Sequence, residues 1–139
     1  MRNRQLAADH LTRATARLAA LDVLFAHESW ADVVREAQEI VELSLKGLLR
    51  QSGIDPPRIH DVADVLLAEQ ARLPEDVTRH IDFLMQASRS LRRDRELAFY
   101  GAEDLTPSTF YRQSDAELAR DQARRVVAVI RPHVTAAGR

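Results

Sequence analysis

The chain has no cysteine. Disulfides, thiol nucleophiles and thiolate metal sites are excluded together, and the composition fits a reducing compartment. Glycine and proline are scarce, four and five in 139 residues, so few positions can interrupt a regular backbone. The glycines stand singly, which rules out a glycine-rich phosphate loop. No apolar run approaches the roughly 18 residues of a membrane span. The basic start Met1-Arg2-Asn3-Arg4 leads into a charged helix, not a secretory apolar stretch. Neither sign of charge dominates. A formal −1 gives no global attraction to nucleic acid or anionic lipid, so any such contact is local. No alternating β-branched run is present, and no strand is predicted. Repeats and low-complexity tracts are missing too.

What remains is rich in Ala, Leu, Arg and Glu, residues that lose little side-chain freedom in a helix. With 45% apolar and 29% charged residues, the expectation is one cytoplasmic, all-α domain over residues 1–139. No membrane contact is expected.

The apolar spacing supports this helix by helix. From about Arg4 to His27, Leu11, Ala14, Leu18, Leu21 and Phe25 recur three or four apart and form one stripe. Ser29, with Asp32 three residues on, opens a second helix in a near-capping-box arrangement. Its apolar face is the widest in the chain, running from Trp30 through Val33, Val34, Ala37, Ile40, Val41, Ser44 and Leu45 to Leu48 and Leu49. That makes it the expected centre of the bundle. Gly47 lies inside this helix at a cost of about 1 kcal/mol against alanine, which points to a close backbone crossing. Gly53 ends it as a left-handed cap.

A proline connector, Ile54 to His60, precedes a short helix from about Asp61 to Ala71. Pro74, Glu75 and Asp76 then start a long helix that reaches Phe99 and stops at Gly101. Its buried line is Val77, Ile81, Leu84, Ala87, Ser88 and Leu91. An irregular segment occupies residues 101–113. Ser114 and Glu117 form a capping box for the last helix, whose buried face is Ala116, Ala119, Ala123, Val126, Val127 and Ile130. Pro132 weakens or ends that helix.

Five histidines and many carboxylates raise the question of a metal. None of His10, His27, His60, His80 or His133 has a glutamate three residues before it, as di-metal bundles need. The zinc-protease pattern of two histidines four apart is missing as well. No metal and no cofactor is therefore expected. His60, where the connector meets a helix start, reads as a backbone-bonded entry residue, with a polar group at a cleft edge as the alternative.

The strongest polar feature is the end of the long helix. Arg89, Arg92, Arg93 and Arg95 cluster with Asp94 and Glu96, and Phe99 and Tyr100 follow. Guanidinium matches phosphate geometry with two parallel bonds, so the cluster suits phosphate. It suits a solvated face or a subunit interface equally well. The adjoining aromatics lean toward a nucleotide or RNA, whose bases stack.

Residues Ala37 to Leu49, then Gly53, Pro57, His60 and Leu66-Leu67, resemble the front half of a HEPN domain, a higher-eukaryote and prokaryote nucleotide-binding helical domain. Arg93 through Tyr100 and the capped last helix fit the second half. The resemblance covers most of residues 5–131. It implies an all-α, up-and-down bundle of four main helices plus a short extra one that commonly dimerises, often encoded beside a small nucleotidyltransferase. Other members are metal-independent ribonucleases, toxin-like in kind. In these an arginine, a polar residue, a histidine and a tyrosine occupy this helix end. The matching residues here are Arg93, Asp94, Ala98 and Tyr100. Alanine can neither take nor give the proton that cleavage by a 2′-hydroxyl requires. Arg4 and His10 come near that spacing, but on the first helix, away from the family's site.

The resemblance thus implies a non-nuclease HEPN domain. It would bind a nucleotide, RNA or a nucleotidyltransferase partner through Arg92, Arg93, Asp94, Arg95 and Tyr100, with Arg89, Glu96 and His60 as secondary candidates. Tyr100 is also the position that accepts a nucleotide group in some family pairs. A ribonuclease using a diverged group such as Glu96 or His60, and a purely structural dimerisation module, are the alternatives.

Overall fold

The computed structural model describes residues 2–57, 62–100 and 110–135, with backbone alone for residues 2, 91–100 and 135. Four long helices dominate: α1 (Arg2–Ala26), α2 (Trp30–Gln51), α5 (Ile81–Tyr100) and α6 (Gln113–Thr135). Between α2 and α5 lie two short ones, α3 (Val62–Ala68) and α4 (Glu75–Thr78), and a single 3₁₀ turn, Gln70–Arg72. Among the described residues there is no strand.

α2 is the centre of the bundle, packed against α1, α6, α5 and α3. Its whole predicted stripe from Val33 to Leu49 is buried, Trp30 at its head partly so, and Leu43 joins the buried set. Ser44 is the buried polar exception, and its hydroxyl donates to the Ile40 carbonyl at 2.7 Å. From α1 come Ala7, Leu11, Ala14 and Leu21, and from α5 Leu84 and Ala87, all fully buried. The predicted six-residue face of α6 is buried as well, with Val134 extending it.

Both ends of α2 show how the turns are made. At its C-terminus Gly53 takes φ +75°. The Gly53 N–H donates to Arg50 and the Ile54 N–H to Leu49, and Ile54 is buried, so the helix closes in a Schellman motif. α1 closes the same way, the Glu28 N–H donating to Phe25 and the Ser29 N–H to Leu24. There the left-handed residue is a glutamate, Glu28 at φ 58°. At the head of α2 the capping expectation is corrected. The Ser29 hydroxyl donates to the Asp32 carboxylate at 2.6 Å, so neither side chain caps an amide.

Three boundaries also differ from expectation. The long helix expected from Pro74 is divided into α4 and α5 at Arg79-His80. The turn tightens there: the Thr78 hydroxyl donates to the Glu75 carbonyl and the His80 N–H to Val77, three residues back. The cap of α6 is set two residues earlier than Ser114. The Asp115 carboxylate accepts from the Arg112 N–H at 2.8 Å, and Glu117 is instead bonded to the Gln113 side chain. Asp115 reaches that amide from the third position of the helix, which Glu117 overshoots. Finally, α6 runs through Pro132 to Thr135. Pro132 and Ala128, whose carbonyl loses its donor, are both exposed, so water can take that bond.

At the end of the bundle where α1 meets α2, Phe25 and Trp30 pack edge to face at 4.9 Å. The Arg120 guanidinium of α6 lies 3.8 Å over the Phe25 ring. Arg124 of the same helix pairs with Asp22.

Candidate functional site

α5 carries every leading candidate of the sequence, Arg92, Arg93, Asp94, Arg95 and Tyr100, and the secondary candidates Arg89 and Glu96 also lie within its helical span. Arg89 aside, their side chains lie outside the described residues, so the backbone register defines what they share. His60 and the irregular segment up to residue 109 lie outside them as well.

Successive residues of a helix turn by roughly 100°, so positions three and four apart form rows. Leu84 and Ala87, both fully buried, begin the row that packs into the bundle. Positions 91, 94 and 98 continue it. A second row, on the opposite side, holds positions 89, 93, 96 and 100. Its first member, Arg89, is exposed and pairs with Asp64 of α3 at 3.2 Å. Positions 92 and 95 fall one heptad after Met85 and Ser88, between the two rows.

By backbone register the candidate positions fall on more than one row. Arg93 and Tyr100 share an outer row with Arg89 and Glu96, while Asp94 and Ala98 sit in register with the packed row. Position 98, an alanine, continues the row that begins as core with Leu84 and Ala87. Arg89 itself is partly engaged by Asp64, which leaves position 93 as the next cation along the outer row. An exposed pair such as Arg89–Asp64 contributes little to stability, about 0–1 kcal/mol, so it exchanges readily for another anion.

Helix order, the central α2, the left-handed Gly53 cap and an arginine-rich second half of α5 are now in place. A family model for the HEPN domain matches residues 7–133. The chain belongs to the HEPN domain family. No curated protein and no solved structure matches it. Within this HEPN fold no helix is long and apolar enough to cross a membrane, among the described residues. Nor do the described residues hold a cluster of three or more side chains fit for a metal ion.

One polar group of the HEPN bundle was passed over in the sequence. His10, on α1, is half-buried beside Gly47 and has its Nδ1 buried without a hydrogen-bond partner. Burial, and next the Arg50 guanidinium, hold its pKa below the usual 6.5. The signal available in sequence was Gly47: a helix glycine marks a close crossing, and His10 stands one residue before Leu11 on the helix that crosses it.

Proposed function

We propose that this HEPN domain is a non-nuclease binding module that takes a nucleotide or RNA through the outer row of α5, centred on Arg93. The observation that carries the reading is the pairing of Arg93 and Tyr100 on one row with alanine at position 98. Arg93 supplies a planar fork for a phosphate, and Arg92, on the adjoining flank, adds charge. Tyr100, two turns further on, offers a ring to stack on a base and a hydroxyl to donate. Asp94, on the inward row, orients an arginine. Without a base at position 98, the 2′-hydroxyl of a bound RNA keeps its proton and the strand stays intact.

A nucleotidyltransferase partner is the second reading, favoured by the position of Tyr100 in the family's motif. It would meet the same row, and Tyr100 would be the residue that accepts a nucleotide group. The domain would act as a cytoplasmic homodimer in either case. Titration calorimetry with ATP, GTP and short RNA, on the native chain and Arg93→Ala, tests the binding reading. Co-purification with a nucleotidyltransferase tests the second.

A further inference from the structure

A second cluster of cations lies away from α5, where α1 crosses α2. α1 has no acid in its first turn, although a helix N-terminus favours negative charge. It opens instead with Arg2-Asn3-Arg4. One turn beyond His10 on α1 stands Arg13, and on α2 Lys46 and Arg50 flank the Gly47 crossing. Arg50 and Lys46 from α2, and Arg13 from α1, all act on the His10 imidazole to disfavour its charged form. The acid that acts on it is Asp9.

These cations are incompletely balanced. Lys46 is 2.9 Å from Glu42. Arg50 bonds a neutral group, the Asn3 side-chain oxygen at 3.2 Å. Its Nε is buried without a hydrogen-bond partner, as is the Nδ1 of His10. Arg13 is exposed and makes no ion pair among the described residues. Three cations thus act on one imidazole beside the Gly47 crossing, with the Arg50 Nε left without an acceptor and Arg13 exposed.

We propose that Arg13, His10, Lys46 and Arg50, between α1 and α2, bind a phosphate group, carried by a free nucleotide or by an RNA backbone. Guanidinium groups suit phosphate oxygens, and an anion placed among these cations offsets the repulsion that adds to burial in disfavouring the charged imidazole. Binding and protonation are then linked: phosphate favours the imidazolium, and the imidazolium adds a donor to phosphate. The site shares no residue with the α5 row, so it does not depend on the reading given for Arg93.

The test is an NMR pH titration of the His10 ring in inorganic phosphate and in chloride of equal ionic strength. The site predicts a His10 midpoint at higher pH in phosphate, with the difference lost in Arg50→Gln. It is also reduced in Arg13→Gln, an exposed substitution that leaves the core untouched. Arg93→Ala keeps the difference in full. ATP and a short RNA, added in place of phosphate, identify the source by which of them moves the midpoint at lower concentration. Equal midpoints in phosphate and chloride overturn the proposal. So does a phosphate effect that survives both Arg13→Gln and Arg50→Gln, and so does a midpoint that neither ATP nor RNA moves.

Discussion

Leu11 and Gly47 meet where α1 crosses α2: a Cβ built on Gly47 would clash with the Leu11 Cδ2 atom and lie 3.3 Å from the Ala7 carbonyl oxygen. In an open helix Gly→Ala gains about 1 kcal/mol. Here Leu11 is fully buried and the Ala7 carbonyl is backbone that cannot rotate aside, so Gly47→Ala instead lowers stability by about 1 kcal/mol net, the overpacking cost exceeding the propensity gain. Denaturant unfolding of Gly47→Ala, Leu11→Ala and the double variant measures this. The double variant should be more stable than the sum of the two single losses, because each change relieves the other.

Glu28 offers a prediction of opposite sign. A glutamate at φ 58° carries left-handed strain on the order of 1 kcal/mol, which glycine does not. Glu28→Gly therefore raises the thermal midpoint by a few degrees, with the Schellman bonds to Phe25 and Leu24 unchanged. A lower midpoint would show that the Glu28 side chain contributes more than its backbone costs.

The cap of α6 separates two readings of one stretch. Because Asp115 holds the Arg112 amide, Asp115→Ala should cost about 1 kcal/mol. Ser114→Ala and Glu117→Ala, both exposed, should stay within about 0.5 kcal/mol. Equilibrium unfolding of the three variants ranks them. A large loss at Ser114 would restore the capping box that the sequence suggests.

These cases mark how much of the molecule was legible in the sequence. The four long helices, the central role of α2, the Gly53 cap and the Gly47 crossing follow from apolar spacing and isolated glycines, and all are present. The buried faces of α2 and α6 follow for the same reason. What was not legible depends on competition within one turn. At the head of α6, Asp115 and Glu117 would each close a capping box on a different first residue, and spacing alone does not choose where the helix starts. At Thr78, a hydroxyl competes with the helix ladder. For the candidate site, composition put four arginines together, but only the register of α5 places positions 93 and 100 on the row of Arg89 and positions 94 and 98 on the row of Leu84 and Ala87. His10 was not legible because its environment is made by another helix.

The pH dependence of stability follows from that environment. His10 has a folded pKa below 6.5, so below pH 6.5 the unfolded chain takes up a proton before the folded one. Its contribution is constant above pH 6.5 and is lost as the pH falls from there through the lower folded value. Thermal midpoints in chloride buffers should drop over that window, and His10→Gln should flatten the drop. A native curve already flat over the window would mean that the charged form is accommodated.

The central claim concerns Arg93. Calorimetric titration of ATP, GTP and a short RNA into the native protein should give saturable binding with at least one of them. Arg93→Ala should weaken it by about tenfold or more, with the RNA recovered uncleaved. Absence of binding to all three, or equal affinity in Arg93→Ala, would contradict the account.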